Sequence, residues 1–459
     1  MGTELLAPLD LAFWHLESDA HPMHLGALAV FAPPPGSGAA PDHVLELLGT
    51  RAAAIPRLRM CVRDVLLPVG GAAWTVDKDF DVHRHVRRVA VADGDFMAGA
   101  TRLAGELMEQ PLERGLPPWQ LYLIGGADGG PFAVLVKLHH ALADGMRAVA
   151  IGAGIFDEIA AATRPAPRGR PAVPPRSWLP DPREMAGMAL GRIGEVGRAL
   201  GVGASVVRAG RLDLRSTALT APSSGTRRLA TADLDATALQ RIRRAEGGTA
   251  NDILLAVVAG ALRRWLAGRG EALPGTGPRA LVPVSRRRPG GAITGNRLSA
   301  YLLDLPVGAA DPRERLRAVR AAMDRNKAAG PLKGAGAVAV LADQLHPLAH
   351  RFGAPLAANA ARMLFDLLVT SVPLPRSALS LGGCPLSALY PMAPLARGQS
   401  LAVALSTYGG RVHVGLVADG KALPDLDRLA GAVGEEFAEL EASVAGGLRS
   451  GARAPEPVT

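Results

Sequence analysis

Apolar positions along this chain fall into two alternating patterns. Short runs bounded by turn residues read as strands, and longer stretches with apolar positions three and four apart read as helices. Before residue 163 the pattern predicts strands over Gly26 to Phe31, Arg59 to Leu66, Trp74 to Asp77, Trp119 to Ile124 and Ala133 to Leu138, and helices over Pro41 to Ala54, Phe96 to Met108 and Met146 to Ala162. Arg164 to Pro175 is so rich in proline that it can sustain neither a helix nor a central strand, and it reads as a linker. Helical spacing then covers Pro182 to Ala209. The strand–helix alternation returns with strands at Arg227 to Thr231, Ala280 to Val284 and Arg297 to Leu305, and helices at Leu234 to Glu246, Asn251 to Leu266 and Pro312 to Ala328. A long helical zone, Gly334 to Leu368, follows. A hairpin about Gly409-Gly410, with arms Ser400 to Tyr408 and Arg411 to Ala418, has the alternation of a sheet edge, and a last helix spans Asp425 to Val444. The expected organisation is an α/β half over 1–163, a linker over 164–180, a second α/β half over 181–450 and a tail over 451–459.

Composition narrows the class. At 459 residues the chain exceeds the ~150 of one ordinary domain. Lys and Arg number 51 against 42 Asp and Glu, a formal charge of +9 that invites nucleic acid, anionic lipid or a polyphosphorylated small molecule as partner. Aromatics make up only 4% and no zinc-finger, RRM or helix-turn-helix pattern occurs, so nucleic acid drops out. The two cysteines, Cys61 and Cys384, lack metal or redox spacing and suit burial in a reducing compartment. Met1-Gly2-Thr3-Glu4 has no signal-peptide pattern, and no run reaches the ~18 to 20 apolar residues of a spanning helix. A cytoplasmic protein is expected. The basic amphipathic stretch Pro182 to Ala209 would either pack between the halves or lie on an anionic membrane.

The chemistry concentrates in His139-His140-Ala141-Leu142-Ala143-Asp144-Gly145, directly behind the strand Ala133 to Leu138. A histidine titrates near neutral pH and can accept a proton from a hydroxyl or thiol held within hydrogen-bond reach. Asp144 could fold back on the ring or fix the loop through an arginine, and Gly145 would let the backbone turn or approach a substrate. A metal site is poorly served, because the nearest further carboxylates are Asp157 and Glu158.

His140 through Asp144-Gly145 resembles the His-x-x-x-Asp-Gly signature of CoA-dependent acyltransferases, and the doubled histidine resembles the bacterial wax ester synthase/diacylglycerol acyltransferase family. Other segments agree in order along nearly the whole chain: Pro8-Leu9-Asp10 with Phe13-Trp14, Pro22 to Phe31, Asn251-Asp252, Pro283 to Arg286 with Gly295-Asn296, and Tyr390-Pro391 with Pro394-Leu395 and Gly398-Gln399. The resemblance implies a two-domain, chloramphenicol-acetyltransferase-like fold with a channel between the halves. It also implies transfer of a fatty acyl group from acyl-CoA to diacylglycerol or a long-chain alcohol, with no metal or bound cofactor, and peripheral contact with a membrane or lipid droplet. His140 would be the base, His139 its support, Asp144 the holder of the loop, and Gly145 the space for substrate.

Asn251 and Asp252 suit helix capping on residue chemistry alone. The resemblance gives Asn251 a second role as donor to the developing oxyanion and puts Asp252 at the substrate site. Arg286 and Arg287 could meet the phosphates of coenzyme A or form a solvated turn. Two departures stand out. Pro117-Pro118-Trp119 replaces the family's Pro-Leu-Trp, and Ser371-Val372-Pro373-Leu374-Pro375 replaces Asn-Val-Pro-Gly-Pro near the implied substrate channel. Ser371 and Leu374 keep alive an acyltransferase for a non-lipid hydroxyl or amine, beside a catalytically silent binding protein of the same fold.

Overall fold

The computed structural model describes residues 4–33, 41–66, 69–91, 94–125, 130–157, 217–273, 275–285, 298–329, 364–375 and 377–451. The linker 164–180, the stretch Pro182 to Ala209, the tail 452–459 and most of the zone from Gly334 lie outside the described residues. Two large sheets carry the fold. One runs in the order β12 (Ser380–Leu381), β13 (Cys384–Met392), β2 (His24–Phe31), β7 (Phe132–His139), β6 (Trp119–Gly125), β5 (Val86–Ala90), antiparallel except for the β5–β6 pair. The other runs β10 (Leu298–Asp304), β9 (Arg279–Ser285), β11 (Leu367–Val372), β14 (Leu401–Tyr408), β15 (Arg411–Asp419), β8 (Arg227–Asp235), with β11 parallel to both neighbours. A small sheet pairs β1 (Glu4–Leu5), β4 (Ala72–Val76) and β3 (Met60–Asp64).

Helices cover these sheets where their apolar stripes demand it. In the first half α1 (Pro8–Leu16), α2 (Pro41–Ala54) and α4 (Gly145–Ala153) close one core with the small sheet, around Trp74, Trp119, Leu48 and Leu138. In the second half α5 (Ala236–Glu246), α6 (Ala250–Gly268), α7 (Pro312–Ala329) and α8 (Leu426–Gly451) cover one face of their sheet. α6 is buried along most of its length because its apolar residues surround the axis.

A third core joins the halves. The helix α3 (Phe96–Glu109) and the strand β13 supply Ala100, Ala104, Tyr390 and Met392, which pack on Ala402, Ala404 and Val417 of β14 and β15. The strands cross so closely that a Cβ at Gly415 would stand 2.1 Å from the carbonyl oxygen of Pro391, which only glycine avoids. Tyr390 Oη also donates to Asp233 Oδ2 on β8 at 3.0 Å.

Three expectations need correction. The Ser400–Ala418 hairpin is central and not a sheet edge: β11 and β8 flank it, helices cover its Val403 and Leu405 face, and β13 and α3 cover its Ala402 and Ala404 face. The zone expected to be helical through Leu368 has become strand β11 by Leu367. The helix after Gly145 stops at Ala153, where Gly154 caps it. The strand β13 itself went unread because Pro385 and Pro391 argue against a strand. Pro391 lies beyond β12, which pairs with β13 only at Cys384 and Pro385.

Candidate active site

The strand β7 delivers the histidine pair to a tight turn, in which Leu142 and Ala143 donate backbone N–H groups to the His139 carbonyl at 2.9 and 3.3 Å. The His140 N–H donates to the Met23 carbonyl at 2.8 Å, and its ring stacks on Phe13 of α1 at a centroid distance of 3.9 Å. His140 keeps some exposed surface yet sits deep among neighbouring atoms. Burial pushes its pKa down to about 4, against the opposing pull of Asp144, so the imidazole is neutral and able to accept a proton at neutral pH.

Asp144 is the N-cap of α4: its Oδ1 accepts the Arg147 N–H at 2.8 Å, and the residue is buried. The Arg147 guanidinium turns away to Asp10 on α1 at 3.4 Å, so one short segment ties the loop to the helix that stacks on His140. Gly145 looks toward the second half. A Cβ there would meet Val372 Cγ2 of β11 at an ordinary 3.9 Å, so this glycine is not demanded by backbone strain.

Beside Val372, Ser371 Oγ donates to Asn251 Oδ1 at 3.1 Å, which leaves the amide NH2 as the donor that Asn251 can offer. Asn251 lies in the first turn of α6 and does not cap it. The N-cap is Thr249, whose backbone N–H donates to Asp252 Oδ2 at 2.8 Å while Thr249 Oγ1 accepts from Asp252 N–H at 3.2 Å. Asp252 is buried in that reciprocal cap. Arg286 and Arg287 lie outside the described residues. Among the described residues no group of three or more His, Cys, Asp or Glu side chains is placed to hold a metal ion, and no helix is long and apolar enough to cross a membrane.

Sequence reasoning missed Glu17. It follows α1 directly and its side chain is 7% exposed, with Oε1 at 3.4 Å from His139 Nε2, at 3.6 Å from His24 Nε2 and accepting the Met23 N–H at 3.3 Å. Arg114 reaches Oε2 at 2.6 Å and lays its guanidinium over Trp14. Burial opposes ionisation, but His139, His24 and Arg114 outweigh it and hold the carboxyl far below its ordinary pKa. His24 and His139 are register partners across β2 and β7, a pairing that only the fold creates.

Two packed α/β halves, with a neutral histidine on a capped loop facing the second half, define the chloramphenicol-acetyltransferase-like class of CoA-dependent acyltransferases. Residues 6–254 match the wax ester synthase/diacylglycerol acyltransferase catalytic domain, and residues 294–441 match the WS/DGAT C-terminal domain. The chain belongs to the wax ester synthase/diacylglycerol acyltransferase family. It is 31% identical over 466 residues to a Mycobacterium tuberculosis protein named a probable diacylglycerol O-acyltransferase, with 96% of this chain and 99% of the relative covered. A second protein of that organism and name is 31% identical over 455 residues, covering 95% and 96%. The solved wax ester synthase/diacylglycerol acyltransferase from Marinobacter aquaeolei superposes with a TM-score of 0.69 at 25% identity, over 96% of this chain and 100% of that one. A trichothecene 15-O-acetyltransferase from Fusarium sporotrichioides shares the fold at a TM-score of 0.61 and 11% identity, over 95% of each chain. The chain is thus an acyl-CoA-dependent O-acyltransferase, with acyl-CoA as its co-substrate.

Proposed function

We propose that the chain acylates the hydroxyl of diacylglycerol or a long-chain alcohol, with His140 as general base. The observation that carries this reading is a neutral imidazole stacked on Phe13 on a loop that faces β11 of the other half. The sheet of residues 24–139, which β12 and β13 of the C-terminal part extend, and the second sheet supply opposite walls. His140 takes the hydroxyl proton as the alcohol oxygen attacks the thioester carbonyl carbon. The C–S bond then breaks, and the thiolate of coenzyme A leaves with the proton returned by His140, so no acyl-enzyme forms. Asn251 donates its NH2 to the oxyanion, where a positioned donor has large leverage. Asp144 and Gly145 keep the loop capped and open, and Asp252 and Ser371 hold Asn251 and its surroundings.

His140→Ala should lower turnover by ~10²- to 10⁴-fold while the protein stays folded. The assay is mass spectrometry of products formed from mixed acyl-CoAs with diacylglycerols, alcohols and amines. Near-normal turnover by His140→Ala would sink the base assignment, and acylated amines as the dominant products would sink the lipid acceptor.

The same proposal has the acceptor arrive from an anionic membrane or lipid-droplet surface. At the turn between β3 and β4, Leu66 is 88% exposed and Val69 52%, with Arg63 exposed on the adjoining strand. An apolar tip beside a basic side chain suits such a surface. Leu66→Asp with Val69→Asp should move the protein off anionic vesicles in sedimentation while a soluble acceptor is still acylated. Undiminished vesicle binding rules this contact out.

A further inference from the structure

We infer that Glu17 is a positioning residue for the histidine pair, acting on His140 through His139 and Met23; the inference rests on the reading of His140 as the base. The residue stands where α1 ends, in extended backbone, and its side chain dips behind the turn that carries the pair. A single oxygen, Oε1, serves both anchors of that turn. It accepts the Met23 N–H at 3.3 Å, and the carbonyl of the same Met23 holds the His140 N–H at 2.8 Å. It also faces His139 Nε2 at 3.4 Å.

The other ring nitrogen fixes what that contact means. The Ala141 N–H donates to His139 Nδ1 at 3.0 Å, so Nδ1 carries a lone pair and the ring proton is on Nε2, the nitrogen that lies 3.4 Å from Glu17 Oε1. A proton moved to Nδ1 would set two donors face to face and push open the turn that aims His140. The Ala141 N–H thus sets the tautomer of His139, and the Glu17 carboxylate, 3.4 Å from Nε2, holds the ring in the place from which that tautomer supports the turn. Arg114, on Oε2 at 2.6 Å, keeps the carboxylate oriented. A buried carboxylate is a weak device for stability alone, because an apolar side chain of similar size packs as well without desolvation. Its use here is directional.

Glu17→Gln keeps the shape and removes the charge. In the full-length enzyme, with acyl-CoA and diacylglycerol, kcat should fall about 10- to 100-fold while KM for acyl-CoA changes less than about twofold, as expected when a base is misaimed and binding is intact. Because part of the effect runs through His139, Glu17→Gln should cost less in a His139→Gln background than in the native protein. A second readout needs no turnover: ¹⁵N spectra of the histidine rings should show the Nε2–H form at His139 in the native protein, and in Glu17→Gln the same form with its Nε2 resonance displaced as the ring loses its charged neighbour. Unchanged kcat, a loss that only tracks the folded fraction, or full additivity with His139→Gln overturns the inference. If Glu17→Gln does not fold, Arg114→Gln tests the same link, with a smaller kcat loss at unaltered KM expected and an unchanged kcat counting against it. His140→Ala run in parallel separates the two readings. Retained turnover there removes the base assignment, whereas an inactive His140→Ala beside a fully active Glu17→Gln removes only the role of Glu17.

Discussion

Two buried carboxylates, one in each half, are neutralised by different company. Glu17 sits among two imidazoles and one arginine at the edge of the site. Glu436, on α8, is gripped by the fully buried Arg315 of α7 and by Arg264 of α6, opposite Gly260, where any Cβ would stand 2.1 Å from the Glu436 carboxyl carbon. Arg315 spends its remaining reach on the carbonyls of Ala309 and Ala310 at 2.7 and 2.8 Å, which fixes the turn entering α7. The second cluster is a clamp of permanent cations that joins three helices. The first holds two imidazoles, one of them the neighbour in sequence of the proposed base His140. Burial of a charge is common to both, so burial by itself does not mark function; the titratable partners do.

The largest expected effect is on stability. Glu436→Ala leaves Arg315 buried without its carboxylate and should destabilise the protein by ~3–5 kcal/mol. Urea unfolding monitors this, and kcat per folded molecule should be unchanged. Glu17→Gln should also lose the stability its held carboxylate contributes, but it alone should lose kcat per folded molecule. An unchanged kcat per folded molecule for Glu17→Gln, or a fall in it for Glu436→Ala, would erase the distinction.

How much of this was legible in sequence follows the same division. Elements with strong local patterns were readable almost to the residue, as with α2 over Pro41–Ala54 and α3 from Phe96, because apolar spacing and the Asp95 cap act locally. The segment His139–Gly145 was legible as a loop behind its strand for the same reason, but the capping of α4 by Asp144 was not read from it. Glu17 was not legible, since its significance depends on His24 meeting His139 across two strands more than a hundred residues apart. The strand β13 was hidden by its prolines. The placing of its Tyr390 against β8 depends on Gly415 letting two backbones touch, a tertiary fact with no local signature. Thr249 was overlooked as the cap of α6 because the Asn251-Asp252 pair drew the reading two residues too far along.

Acid should distinguish the two clusters by a smaller margin. Burial pushes His24 down to about 4 from an ordinary 6.5, against the pull of Glu17, and pushes His140 to about 4 as well. Between pH 6.5 and about 4 the unfolded chain therefore binds protons that the folded one refuses. Stability must fall as pH drops through that window, by up to about 1.4 kcal/mol per pH unit for each such histidine. Glu17 adds to the loss only lower down, because its depressed pKa stabilises the fold above its unfolded value of 4.5 and is forfeited below it. Lys137, lowered to about 7 by burial, works at the other end: the unfolded lysine stays protonated up to 10.5, so stability rises with pH above 7. His24→Gln places a neutral amide where the imidazole was, and it should flatten the acid limb between pH 6.5 and 4 by about one proton's slope. Thermal unfolding at half-unit pH steps reads this directly, and an acid limb as steep as that of the unaltered protein would remove His24 from the account. Turnover measured well below the melting temperature should not follow the stability curve, because His140 stays neutral until pH approaches 4. The acid sensitivity of the first cluster is then one of folding, while its chemistry persists.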